Sequence, residues 1–348
     1  MSVGKSVTDW MLPENRRESF QRSYTFSLQN QNFPGMVYSM LPAIADDFDL
    51  DADQRAWLVW LNGNTQNAVT SMLLLEAAPR PQDWKKAVDF WNEHFKLLEW
   101  DTDRRHQKSS FGKATESWFM DYGFNPAEGW QCQPTWQETW KHSLGQPYMG
   151  RISAWSMYEF ARILLPGIPD VGSWFLKESS SRSHRNALCL LLGLEGAWGW
   201  DRDQAEIPFL LDLFPELHEL AEDLLAEAQQ RNSEEVTRLT MESALCTWKS
   251  MHKPDRRYPN VYADMFHDRI KKAEHRMGRS LDLLWDIRKN TLPAELRLED
   301  NPNDPGLAPE KQNWFRNTGE LLYLHRSFDD MEPSGFEQKV ATGGFGTR

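Results

Sequence analysis

The chain has 348 residues, 40% of them hydrophobic, with 51 acidic against 39 basic side chains and a net charge of −12. This composition excludes a disordered chain and a generic polybasic DNA coat, while leaving room for a local basic cleft. Three cysteines, Cys132, Cys189 and Cys246, are odd in number and far apart, which excludes a disulfide framework and a zinc knuckle.

The first 20 or so residues are polar and read as extended chain. No apolar stretch follows their charge, so no secretory signal is expected. From residue 53 to 78, Trp57, Trp60, Leu61, Val69, Met72, Leu73 and Leu75 cluster at helical spacing, with Gly63 as a point of kinking or splitting. A second helix opens at Pro81 and continues through KKAVDFWNEHFKLLE. Another spans about 152–165. The segment RNALCLLL follows, capped by Ser181 or Ser183 and stopped at Gly193. Residues 203–230 and 233–251 read as a long helical pair with Asn232 or Ser233 as the cap between them, and 261–291 is helical again. Strand-like alternation is nearly absent, so the expected fold class is all-α.

One helical domain is expected over 31–330, between an N-terminal extension (1–30) and a flexible tail (331–348), with a Pro/Asn/Asp loop at 299–310. The longest apolar run, Ala187 to Leu194, is far below the roughly 20 residues that span a bilayer, so no membrane partner is expected. Charge is uneven. Residues 201–235 hold eleven acids and two bases, whereas 244–289 hold eleven bases and six acids, and a basic knot occupies 102–108. Such islands suit the grip of a polyanion, and they also suit ordinary helix surfaces.

Three stripes bear on chemistry. In a helix from Ser181, Arg182, Arg185, Asn186 and Cys189 share one face and run directly into an apolar segment. Guanidinium groups drawn inward this way need anionic partners, either carboxylates or a bound phosphate. Glu242, Cys246 and Lys249 share a face in the same manner. Glu242 is either the internal partner of an arginine or a general base whose pKa burial raises. Both cysteines read more readily as small buried apolar groups than as nucleophiles. Arg151, Trp155, Tyr158 and Arg162 form an Arg/aromatic face, suited to stacking on a base or to plain amphipathic packing. The loop Leu165–Gly172 faintly resembles the hairpin of helix-hairpin-helix DNA-binding proteins. Pro169 stands where that hairpin has a glycine and removes an amide donor, so it reads as a plain interhelical loop. Phosphate-loop, dinucleotide, zincin and deaminase motifs are all missing, and nine scattered histidines make no metal pattern.

Taken together, WLVWLNGNTQNAVTSMLLLEAAP, LLEWDTDRRHQK, GRISAWSMYEF, SRSHRNALCLLLG, ESALCTWK and WDIRKN resemble the helical amino acid:DNA transferases of tailed bacteriophages that hypermodify thymine. They stand in the family's order over about residues 55 to 290. Thymine pyrophosphorylases of the same pathways are the neighbouring group. The chain departs from the family pattern at Asn64-Thr65-Gln66-Asn67, where an aromatic-and-proline turn is expected, and this bears on substrate choice.

The resemblance implies a reaction on 5-hydroxymethyluracil of double-stranded phage DNA, already pyrophosphorylated on its hydroxymethyl oxygen, in the cytoplasm of an infected host. An amine, often that of a free amino acid, replaces pyrophosphate. The leaving group calls for fixed cations, for which Arg104, Arg105, Lys108, Arg182 and Arg185 are candidates. Asn186 and Lys249 complete the binding stripes. The amine needs a base, with Glu242 the first choice and His184 the second. Arg151 suits an amino-acid carboxylate, and Trp155 or Tyr158 suits a sandwich around an unstacked base. A thiolate of Cys189 or Cys246 adding to C6 of the uracil is a further route, open only to a thiol of depressed pKa and ranked below direct displacement. No cofactor is assigned by the resemblance, with Mg2+ accompanying pyrophosphate as the one candidate. Rival readings are a glycosylase-like base-acting enzyme, for which no aspartate poised at C1′ is identifiable, and a non-catalytic DNA-binding protein, which would not need the inward polar stripes.

Overall fold

The computed structural model of the protein describes residues 12–31, 33, 37–100, 109–177, 182–194, 213–250, 264–292 and 297. Among these residues there are fourteen α-helices and no strand, so the chain is all-α. The 299–310 loop, the 331–348 tail, the basic knot and residues 201–212 of the acidic stretch lie outside them.

The chain divides into two compact units. The first is built from α1 (Arg16–Gln29), α10 (Arg182–Leu191), α11 (Phe214–Arg231) and α12 (Arg238–Ser250). The second holds α2 (Val37–Asp47), α3 (Ala52–Thr65), α4 (Ala68–Ala77), α5 (Trp84–His94), α6 (Phe111–Tyr122), α7 (Pro126–Gln131), α8 (Trp136–Gly145), α9 (Arg151–Leu164), α13 (Met265–Met277) and α14 (Asp282–Thr291).

In the first unit, α1 corrects the expectation of extended chain up to residue 20. Its polar sequence carries Phe20, Tyr24 and Leu28 four residues apart, and this narrow stripe is fully buried. Phe20 and Tyr24 stack at 6.0 Å, and Trp248 of α12 meets Phe20 edge-on at 5.8 Å while its Nε1 donates to Ser19 Oγ (3.0 Å). Helix α11 buries Leu217, Leu220, Ala221, Leu224, Leu225 and Ala228 and turns its acids outward. The following helix starts later than expected. Thr237 and Thr240 cap it reciprocally, each hydroxyl accepting from the other's backbone N–H, so neither Asn232 nor Ser233 is the cap. Helix α10 does stop at Gly193. Its φ of +74° permits the paired closing bonds Gly193 N to Leu190 O (3.1 Å) and Leu194 N to Cys189 O (2.9 Å).

In the second unit, α3 runs through Gly63 unbroken; the chain turns at Gln66, whose φ is +49°. The absent side chain at Gly63 serves packing instead. A Cβ there would collide with Met157 of α9, the helix against which α3 packs most extensively. Around this contact Trp57, Trp60 and Trp118 form a buried aromatic cluster with ring separations of 5.2 Å. The 261–291 segment likewise resolves into two helices, parted at Gly278 with φ +64°.

Because Gly63 holds α3 and α9 together by lacking a side chain, Gly63→Ala is expected to destabilise the protein by about 1–3 kcal/mol through overpacking. Met157→Ala should cost less in the Gly63→Ala background than in the wild type. Urea unfolding of the four proteins in a double-mutant cycle measures this coupling.

Candidate active site

Helices α10 and α12 form the most extensive contact of the first unit, and the two polar stripes expected from the sequence meet along it. At its centre is His184, with no solvent exposure. Its Nε2 lies 3.0 Å from the Trp174 carbonyl oxygen, and its Nδ1 lies 2.9 Å from Glu242 Oε1 as an ion pair. Each ring nitrogen therefore faces an oxygen that can only accept, which assigns a proton to both. Burial pulls the imidazole pKa down, but the Glu242 carboxylate and Cys246 outweigh it and hold the group up to about 9. Nδ1 meets Glu242 as a charge contact and not as an aligned hydrogen bond, and a ring kept protonated by that carboxylate serves to hold Glu242 in place.

Glu242 is only 8% exposed. One oxygen is spent on His184; the other, Oε2, is buried and has no hydrogen-bond partner among the described residues. An ionised carboxylate left half-satisfied in the interior is costly, so this oxygen is a point where a proton donor belongs. Cys246 follows one helical turn later, half-buried, with its thiol against His184. One turn beyond, the buried Lys249 donates from Nζ to Ser183 Oγ (2.7 Å), so Ser183 sits inside α10 and is not its cap. Arg185 is 3% exposed and donates from Nη1 to the Leu176 carbonyl (2.7 Å), and Asn186 is buried beside it. Cys189 is sealed in the core, where burial pushes its thiol up to about 11 against the opposing pull of Arg185, so it stays protonated and packs as an apolar group.

Sequence reasoning missed the segment that supplies two acceptors to this seam. Residues 173–177 present the Trp174 and Leu176 carbonyls to His184 and Arg185, and Phe175 between them adopts a left-handed φ of +50°. Trp174 is held in turn by Glu222, which accepts from its Nε1 at 2.8 Å and pairs with Arg238 at 2.9 Å. Backbone acceptors carry no residue-type signature, so no motif could have pointed to them.

Of the four segments expected to share one cleft, 182–189 and 242–249 meet. Arg104, Arg105 and Lys108 lie outside the described residues, and so does the side chain of Arg182, the first residue of α10. Arg151, Trp155 and Tyr158 are built into the second unit. There Arg151 lies over the rings of Trp140 (5.9 Å) and Trp155 (5.3 Å), while Tyr158 is fully buried, donates to the Pro169 carbonyl (2.9 Å) and is pushed up to about 12 by burial. Neither aromatic ring offers an open face, which corrects their reading as a base sandwich; α9 turns that face into its own core. Among the described residues no cluster of His, Cys, Asp or Glu is arranged to hold a metal ion, and no helix is long and apolar enough to cross a membrane.

Residues 37–257 match the family model described as amino acid:DNA transferase. The chain belongs to that family. The transferase is also similar to a serinyltransferase of Salmonella phage ViI, with 25% identity over 300 residues, covering 78% of this chain and 72% of that protein.

The buried ion pair makes the stability of the transferase pH-dependent in a defined direction. Below pH 6.5 His184 is protonated whether the chain is folded or not, and its stabilising contribution is complete. Between 6.5 and about 9 only the folded form keeps the proton, and above about 9 the contribution is gone. Urea midpoints should therefore fall across this window, by on the order of 3 kcal/mol from this group, and His184→Gln should flatten the dependence.

Proposed function

We propose that this amino acid:DNA transferase displaces pyrophosphate from 5-pyrophosphoryloxymethyluracil in phage DNA with the amine of an amino acid, and that the α10–α12 seam is where it does so. The observation that carries this reading is the buried Glu242 carboxylate, clamped through Oε1 by His184 and left with an unpartnered Oε2. A carbon–nitrogen bond forms only when an amine presents its lone pair, and the nitrogen must then shed a proton. Glu242 Oε2 is an acceptor held ready for such a proton. The pyrophosphate leaving group gains negative charge as it departs, and Arg185 and Lys249 are buried cations beside the pair. Arg104, Arg105, Lys108 and Arg182 are further cations assigned to pyrophosphate in this reading, and Asn186 is assigned to substrate contact.

Serine is the first amino acid to test, because the similar phage protein is named a serinyltransferase. The setting is the cytoplasm of an infected host. Mass spectrometry of nucleosides, after incubation of the protein with pyrophosphorylated DNA and a pool of amino acids, should reveal a 5-hydroxymethyldeoxyuridine mass increased by one amino acid less water. DNA recovered unchanged would refute the reading. Glu242→Gln keeps the shape and the contact to His184 but cannot take a proton. Its turnover, measured well below its melting temperature, should fall by about a hundredfold or more.

A further inference from the structure

Glu242 leads one turn along α12 to Cys246, and the two side chains share a helix face. The cysteine differs from the other thiol of this unit in every respect that matters for reactivity. Cys189 has no exposure, whereas Cys246 is half-buried and its sulfur lies against the His184 ring. A cation is therefore beside the sulfur, a second cation, Lys249, follows on the next turn, and a buried carboxylate oxygen without a partner precedes it by one turn. His184 cannot accept the thiol proton, since both its nitrogens face acceptors. Glu242 Oε2 can.

The substrate class supplies the complementary reactivity. A uracil is electrophilic at C6, and a leaving group on the C5 methyl carbon is poorly placed for expulsion until electron density is raised at C5. Addition of sulfur at C6 does that.

We propose that Cys246 is a covalent nucleophile of the transfer, an inference that rests on the pyrophosphate-displacement reading. The thiol proton passes to Glu242 Oε2 as the sulfur–C6 bond forms, and the C5–C6 π pair moves into the C4 carbonyl as an enolate. The enolate collapses and breaks the methylene carbon–oxygen bond, releasing pyrophosphate and leaving an exocyclic methylene at C5. The amine adds to that methylene and regenerates the enolate. Glu242 has by then passed the thiol proton to the departing pyrophosphate, so its Oε2 is free again to take the excess proton of the amine. Reforming the C5–C6 double bond expels the sulfur, which recovers its proton from Glu242. The balance is amine plus pyrophosphoryloxymethyluracil giving aminomethyluracil, pyrophosphate and a proton, with the enzyme unchanged.

The test uses the full-length protein and a duplex oligonucleotide carrying one pyrophosphoryloxymethyluracil, with all amines omitted and the reaction quenched in acid. The expected species is protein plus oligonucleotide less pyrophosphate, mapped by peptide analysis to Cys246 and discharged on adding serine before the quench. In parallel, Cys246→Ser should lose more than about a hundredfold in turnover, while Cys132→Ser, exposed in the second unit, keeps it. Wild-type protein that transfers the amine yet forms no adduct, or a Cys246→Ser variant keeping more than about a third of turnover, overturns the cysteine and leaves the displacement reading standing. Wild-type protein that neither forms an adduct nor transfers any amine overturns both. The wild-type adduct decides the matter even where Cys246→Ser fails to fold.

Discussion

The α10–α12 seam depends on placing a cation and an anion together where water does not reach. Removing an imidazolium and a carboxylate from water is expensive, and their mutual attraction offsets the cost only when the remaining hydrogen-bonding capacity is also met. For His184 it is met at Nε2 by the Trp174 carbonyl, while Nδ1 faces Glu242 as a charge contact outside hydrogen-bond geometry. For Glu242 it is not, because Oε2 is left over. A pair of well-packed apolar side chains of similar volume would serve stability as well or better.

The surrounding elements follow from that pair. The 173–177 segment must bring two carbonyls to successive residues of α10, and Phe175 takes up the left-handed conformation between them. Trp174 has to stay in register for its carbonyl to reach His184, and Glu222 with Arg238 holds its indole from the other side. Helix α1 closes the same core through Arg16, which donates to the Leu190 carbonyl at 2.9 Å, and through the Trp248–Ser19 bond. Contacts distant in sequence thus converge on the helix pair that carries the polar stripes.

The helical character of this chain was plain from periodicity because most helices keep one apolar face at spacings of three and four. Boundaries were legible where the chain announces them with a residue of special geometry, as Gly193 does. They were misread where the determinant was a hydrogen bond or a close approach. Gly63 looked like a break but marks a helix crossing, and Thr237 caps α12 through a reciprocal bond that no composition rule singles out. Helix α1 escaped because half of its eight buried residues, Arg16, Ser19, Gln21 and Ser23, are polar, so its inward face does not stand out by hydropathy. In the site, the stripe of Glu242, Cys246 and Lys249 was readable because i, i+4 and i+7 spacing fixes a shared face. Their pairing with His184 was not, since it depends on which turn of α10 lies opposite and on carbonyls supplied from elsewhere. Trp155 and Tyr158 show the reverse failure: aromatic residues beside arginine read as a ligand platform, and packing claimed them for the core.

The same reasoning bears on Asn64-Thr65-Gln66-Asn67, the point where the sequence departs from the family pattern and where substrate choice was expected to be written. These residues form a turn whose polar groups answer largely to one another. Gln66 supplies the left-handed backbone, Asn67 Oδ1 accepts from Thr70 N (3.1 Å) to cap α4, Asn64 donates to the Trp60 carbonyl (2.9 Å), and Thr65 Oγ1 lies 2.7 Å from Ser71 Oγ, itself 3.0 Å from Asn62 Oδ1. Every one of these side chains except Gln66 is buried. A buried polar turn is tolerable only if its groups find partners, so a change at one position forces changes at the others. The turn meets this condition only in part, because Asn67 Nδ2 and Asn62 Nδ2 are buried without a hydrogen-bond partner among the described residues. By the measure that singles out Glu242 Oε2 in the first unit, Asn67 Nδ2 is a second buried polar atom still in need of a partner, and it stands at the point where the sequence departs from the family pattern.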